Sequence, residues 1–454
     1  MRVQNFTMTL LCAAGLAGCG LAADLNRLNG GGDGGSNNNN GGGSSTGSCA
    51  NGVLDGDETD VDCGGSCVAC AQVSGPPFWQ PIASVPTTRT AFGVAVGGDG
   101  RIYTIGGQTN GSGYGSNGQQ QHPLSAVVEV YDPATDKWSK AGSLSQPRCL
   151  LGASMARDGR VYAMSGKNSQ GLTNLVEVYD LKTSAWTKVS DIPTRRAFFG
   201  ATTGIDGRIY AAGGDNFQHD NALAAFESYA PDTDTWTTLP PLPTARTNLG
   251  VATWRDGRIL ALGGDDNDHL FDAAEIYDPA KNSWSKISAL PSARSGLTAV
   301  AAPDGRVWAI GGSGSRVDVY TLATDHWASA PNLLHARDTM GSTIGPDGRI
   351  YVFGGDAAGT AEVYGPKIAV TPTSGVPNSA AIVNGSNFAA KAHVSVFLDA
   401  RDSVAIGTGL TDEHGALTMP IRVTIPTADP TTGHVLVVVD DRSRYPVTTA
   451  FAVR

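Results

Sequence analysis

No run of lysine or arginine occurs anywhere in the 454 residues, and charged side chains make up only 16% of them, with a formal net charge of −10. Nucleic-acid binding normally needs a cationic footprint, so that class is disfavoured. Cysteine is scarce too: seven residues, four of them between positions 49 and 70. The apolar stretch from Phe6 to Leu16 is too short to span a bilayer as a stable helix. Three familiar catalytic signatures are missing: a Ser-His-Asp arrangement, a phosphate loop and His-Glu-x-x-His. What is plentiful is glycine, at 59 residues, which with low charge suits an all-β protein rich in tight turns.

The glycines follow a repeat. The stretch from Leu242 to Gly264, then Ala273 to Trp284, reads apolar run, Asp-Gly-Arg, apolar run, Gly-Gly, Glu-x-Tyr-Asp-Pro and Trp. Its Asp-Gly pairs recur at Asp99, Asp158, Asp206, Asp256, Asp304 and Asp347, stepping by 59, 48, 50, 48 and 43 residues. The Gly-Gly or Ser-Gly pairs at Gly106, Ser165, Gly213, Gly263, Gly311 and Gly354 keep the same steps. Four strands at this period predict a six-bladed β-propeller. Asp-Gly between apolar strands predicts a two-residue hairpin with both residues at positive φ. Trp79 stands at a repeat's Trp position ahead of the first Asp-Gly, and the last repeat, ending at Pro366, lacks its own Trp strand. The N-terminal strand is therefore expected to complete the last blade, leaving the ring no open edge. Loop length varies after Gly-Gly, which defines a top face, with the longest insertion from Gln108 to Ser125. Such insertions usually mark the binding face of a repeat protein.

These units resemble kelch repeats over residues 74–366, which implies an all-β fold, a six-bladed kelch β-propeller. Residues 367–454 change composition into short alternating runs and read as an immunoglobulin-like β-sandwich, with Val370 to Phe388 resembling IPT/TIG modules. Residues 1–18 read as a signal peptide. Leu16-Ala17-Gly18-Cys19 resembles a bacterial lipobox and implies lipidation of Cys19, export and an anchor in the cell envelope, at the outer membrane by analogy with Gly20 following the cysteine. Residues 19–48 form a tether rich in glycine, asparagine and serine, with a reach on the order of 25 Å. Residues 49–70 form a small Cys-rich module; Cys49, Cys63, Cys67 and Cys70 read first as two disulfides of open connectivity, although Cys67-x-x-Cys70 would also suit zinc. Asp55, Asp57, Asp60 and Asp62 supply hard oxygens that would suit calcium, and apart from calcium no cofactor is expected.

Six arginines precede the Asp of each Asp-Gly by ten residues: Arg89, Arg148, Arg196, Arg246, Arg294 and Arg337. As a ring beside the central channel they would bind carboxylate, sulfate or phosphate. Each blade also repeats an acid (Glu129, Glu177, Glu227, Glu275, Asp318, Glu362), so the arginines can equally be internal ion pairs. Asp215, His219, Asp220, Asp265, Asp266, Asp268 and His269 offer a metal site on the top loops.

The module order also resembles galactose oxidase-like enzymes, whose seven-bladed propellers carry copper on two tyrosines and two histidines, one tyrosine cross-linked to a cysteine. Cys149 lies near that cysteine's place, but Phe198 stands where its tyrosine partner would be, and Arg337-Asp338-Thr339-Met340 replaces the Tyr-His pair. The expected function is recognition of a protein or glycan by the top face, without catalysis and without nucleic acid. The alternative is a carbohydrate-active enzyme, resembling sialic-acid mutarotases or, more remotely, galactose oxidase-like enzymes.

Overall fold

The computed structural model describes residues 79–453 except 110–112, 115–119, 122, 218–221, 313, 390, 400–403, 427–433 and 443–444. Cys19, the four module cysteines, Asp55, Asp57, Asp60, Asp62, His219 and Asp220 lie outside the described residues.

Within each repeat the second strand is apolar at nearly every position, for example Ile102–Ile105 and Ile259–Leu262, and is buried throughout. Such strands must lie inside a sheet that is covered on both faces. They do. Six four-stranded antiparallel sheets form, with innermost strands Gly93–Val96, Gly152–Met155, Gly200–Thr203, Gly250–Thr253, Leu297–Ala301 and Gly341–Ile344, in blades 1 to 6. The outer strand of blade 6 is Trp79–Ile82, paired antiparallel with Ala361–Tyr364, so the two ends of the repeat close one sheet. Five hydrophobic clusters fill the gaps between neighbouring blades from 1 to 5 and between 6 and 1. The sixth, between blades 5 and 6, runs on into the C-terminal domain.

The tryptophans hold each blade to the one before it. The indole N–H of Trp138, Trp186, Trp236, Trp284 and Trp327 donates across the blade boundary to the carbonyl of Ala83, Gly142, Ser190, Pro240 and Ser288. Trp79 does the same to Pro331, which gives the displaced strand the same part in the ring as its counterparts.

The Asp-Gly hairpins differ from the expected two-residue turns. Only the glycines take positive φ, from Gly100 at 75° to Gly257 at 92°. Each glycine N–H donates three residues back, as Gly159 does to Ala156 and Gly257 to Trp254. The geometry is a type I turn followed by a left-handed glycine. The aspartate is kept because its carboxylate accepts the N–H of the following arginine, as Asp158 does from Arg160, and also the Tyr162 hydroxyl two residues further on.

Blade 2 places Ser165 where the five other blades have the first glycine of Gly-Gly in the left-handed region, and Ser165 holds φ at 55°. Its hydroxyl donates toward the Thr173 and Arg196 carbonyls and accepts the Arg196 N–H. Ser165→Ala leaves these buried groups short of a partner, and we expect a loss of about 1–3 kcal/mol in denaturant unfolding.

Residues 367–453 form a two-sheet sandwich. Lys367–Thr371, Ala380–Ser386 and Ile421–Thr424 make one sheet, and Ser374–Gly375, His393–Leu398, Gly407–Leu410, His434–Asp440 and Val447–Val453 make the other. The sandwich docks at the Asp-Gly end of blade 6: the Tyr445 hydroxyl donates to the Gly348 carbonyl and the Thr448 N–H to that of Asp347. It therefore occupies part of the bottom face.

Candidate functional site: the top mouth of the channel

The six arginines lie inside the blades, which corrects the expectation of a cationic ring. Each pairs with its own blade's acid: Arg89 with Glu129, Arg148 with Glu177, Arg196 with Glu227, Arg246 with Glu275, Arg294 with Asp318 and Arg337 with Glu362, at 2.5–2.9 Å. No arginine side chain is more than 6% exposed. The remaining guanidinium protons go to strand-end carbonyls, as from Arg246 to Gly263 and Ala273. Each arginine thus fastens the incoming loop to its blade. Burial lowers the Arg148 pKa to about 10 while Glu177 opposes the shift, so the guanidinium stays charged at neutral pH. Asp318 is one methylene shorter than the other acids and also holds Arg316 at 2.7 Å.

Two cavities lie along the channel, about 180 Å³ at the top and about 280 Å³ below. Glycine, alanine, valine, serine and threonine dominate their walls, and among the described residues no ionisable side chain lines either one. Hydroxyls of the lower wall pair across blades, Ser154 with Thr203 at 2.6 Å and Thr202 with Thr253 at 2.9 Å.

The mouth is set by a feature the arginine spacing conceals. Two residues after each arginine the chain turns left-handed: Ala91, Leu150, Phe198, Asn248, Gly296 and Thr339 have φ between 50° and 67°. The reversal aims each N–H along the ring. Leu150 donates to Ala91, Phe198 to Leu150, Asn248 to Phe198, Gly296 to Asn248 and Thr339 to Gly296. Five backbone bonds therefore encircle the channel, and among the described residues none joins Ala91 N–H to Thr339 C=O at the blade 6–blade 1 seam. Asparagine and glycine suit this conformation, whereas leucine, phenylalanine and threonine in it are strained by roughly 1–2 kcal/mol each. All six residues line the upper cavity.

The ring has two characters. Ala91, Leu150 and Phe198 make an apolar half over blades 1 to 3, with the Phe198 ring edge-on to Phe217 at 6.3 Å. Asn248, Gly296 and Thr339 make a polar half. Asn248 donates its amide to Asp265 Oδ2, leaving its carbonyl oxygen as an acceptor. Asp338 leans over Gly296, where an added Cβ would lie 1.7 Å from its Oδ1. Lost hydration raises the Asp338 carboxyl above its ordinary value, and the Asp265 carboxylate adds to the rise.

The described top-loop acids Asp215, Asp265 and Asp266 accept hydrogen bonds that shape their own loops. Asp215 accepts the Phe217 N–H and the Asn267 amide, Asp265 the Asn267 N–H, and Asp266 the N–H groups of Asp268 and His269. Among the described residues no group of three or more metal-ligating side chains is gathered. Cys149 is buried beside the mouth, and burial pushes its thiol up to about 11, so it stays protonated at neutral pH.

The Kelch motif family matches residues 89–145, 148–193, 195–243 and 246–291, which correspond to blades 1 to 4. No curated protein matches the sequence. The solved structure of YjhT is similar with a TM-score of 0.50 at 19% identity, covering 64% of this chain and 97% of that one. A fungal alcohol oxidase of the AA5 family, solved in complex with copper, is similar with a TM-score of 0.49 at 16% identity, covering 83% of this chain and 99% of that one. At these identities the likeness is one of fold.

Proposed function

Starting from a chain that folds as a kelch β-propeller, we propose that it is a recognition module, exported and held to the cell envelope through lipidated Cys19, whose top face binds a protein or glycan. One observation carries this reading: among the described residues the channel walls hold no ionisable group, and the six arginines and their acids are consumed inside the blades. Proton-transfer chemistry needs an acid or base in reach of the reacting atom. A binding surface needs only shape and a few placed polar groups. The sandwich occupies part of the bottom face, which leaves the top as the accessible one.

A second reading is favoured by one residue. Asp338, at the rim with a raised pKa and no ion pair among the described residues, could serve as an acid in turnover of a sugar. The two separate cleanly. The full-length protein is screened by thermal shift against neutral and acidic glycans, and each hit is followed by NMR for turnover or anomeric exchange. A ligand at 100 times its dissociation constant should stabilise by about 2.7 kcal/mol. Binding with no accelerated exchange supports recognition. Exchange abolished by Asp338→Asn establishes the enzyme.

A further inference from the structure

We propose that the top mouth is built for a single uncharged, hydroxyl-bearing ring, of the size of one sugar unit, and that it rejects the anionic counterpart; this rests on the recognition reading above. Three observations on different parts of the ring converge on it.

The first is size and shape. The upper cavity is about 180 Å³ and is enclosed by all six blades. That is below the roughly 300 Å³ at which drug-sized sites begin, and it suits one compact ring rather than an extended chain.

The second is the divided rim. Leu150 and Phe198 present apolar surface on one side, while Asn248 and Thr339 stand on the other, beside Asp338, which leans over Gly296. Phe198 is kept in a left-handed conformation that the neighbouring Asn248 adopts without strain. Backbone strain by itself says nothing about a ligand. Here it shows that asparagine would be the easier residue at position 198, so the phenyl ring is retained against a local cost. A pyranose has the matching form, with an apolar face of C–H groups and an edge of hydroxyls.

The third is the balance of donors and acceptors. The polar half offers acceptors in Asn248 Oδ1 and the Thr339 carbonyl, and the Asp338 carboxylate stands beside them over Gly296. At the seam the unjoined Ala91 N–H and Thr339 C=O call for a group that accepts from one and donates to the other. A hydroxyl does both, whereas a carboxylate can only accept. Among the described residues no lysine or arginine side chain lines the cavity to offset a negative charge. An anionic ligand would therefore face Asp338 uncompensated and leave the rim's acceptors without donors.

The test uses the full-length protein and pairs of sugars that differ only at C6, galactose with galacturonate and glucose with glucuronate, titrated by calorimetry at millimolar concentration. The expected result is that at least one neutral sugar binds and its uronate binds on the order of tenfold more weakly or not at all. Phe198→Asn and Asn248→Ala should each weaken the neutral sugar by about tenfold, Phe198→Asn with no loss of melting temperature because it relieves the strained residue. Asp338→Asn should narrow the gap between the neutral sugar and its uronate. A uronate that binds as tightly as the neutral sugar would overturn the charge selection and leave recognition standing. Binding that survives both rim variants would place the ligand elsewhere and overturn the proposal. So would silence from every sugar, and if a purified protein partner then docked on the top face, recognition would still hold.

Discussion

Glu275→Ala is expected to destabilise the protein by about 3–5 kcal/mol, whereas Arg258→Ala, which also removes one half of an ion pair, is expected to cost about 1 kcal/mol or less. The difference is where the partner charge is left. Arg246 is fully buried and Glu275 is 1% exposed at 2.5 Å from it. Without Glu275 the guanidinium keeps only carbonyl acceptors at Gly263, Ala273 and, at 3.3 Å, Ala261, and the Thr244 hydroxyl loses its acceptor. A buried charge without a counter-ion is among the most costly single defects a fold can carry. Arg258 and Asp256 are 34% and 43% exposed, so water replaces whichever partner is lost. Urea unfolding of both variants measures the contrast. The double variant Arg246→Met with Glu275→Leu should recover most of the loss, because it removes both charges from the interior. Equal costs for the two single variants would mean that the Arg246–Glu275 pair is solvated and that the arginines are open to ligands after all.

This pair also shows how far the sequence could be read. The arginine stands ten residues before each Asp-Gly and the acid two residues before each third-strand tyrosine, so their places ahead of the innermost strand and on the third strand of one blade were legible. Their direction was not. A ten-residue spacing puts Arg246 at the start of the innermost strand, from which its side chain could point to the channel or back into the blade. Only the strand-end carbonyls and Glu275 on the third strand make the inward choice. The mouth ring was hidden for a different reason. Ala91, Leu150, Phe198, Asn248, Gly296 and Thr339 share no chemistry, and what they share is a left-handed backbone, bonded to the previous blade in all but Ala91. A local signal did exist: Asn248 and Gly296 are residues that favour this conformation, and both stand two positions after an arginine. The hairpins were misread by the same kind of gap. Asp-Gly marks a turn, but whether Asp256 itself takes positive φ depends on the two residues before it, which extend the loop to a type I turn.

The second large effect lies at the junction of the ring with the sandwich. Tyr445→Ala should cost about 3–5 kcal/mol and should split unfolding into two transitions, whereas the intact protein should unfold in one. Tyr445 is fully buried and stands edge-on to Tyr364 at 5.2 Å and to Trp308 at 5.9 Å. Tyr364 in turn touches Trp79, the residue that closes the ring, with centroids 5.3 Å apart. One hydrophobic cluster thus joins blades 5 and 6, the closing strand and both sheets of the sandwich. Asn387 adds a polar clasp at the same place, donating to the Gly365 carbonyl and accepting from Gln80 of the closing strand. Five of the six gaps between blades are filled by the ring's own residues, and only this one borrows from the sandwich. The sandwich therefore acts as a clamp on the seam where the chain has to close on itself, and loosening it should free the closing strand first. Proteolysis under native conditions should cut the Tyr445→Ala variant beside Trp79 before any blade interior. Tyr445→Phe keeps the ring contacts and gives up the hydroxyl bond to Gly348, so it should cost about 1 kcal/mol and retain the single transition. If Tyr445→Ala instead melts in one step with the closing strand still protected, the seam is held by Trp79 and its blade alone, and the sandwich is a passenger on the bottom face.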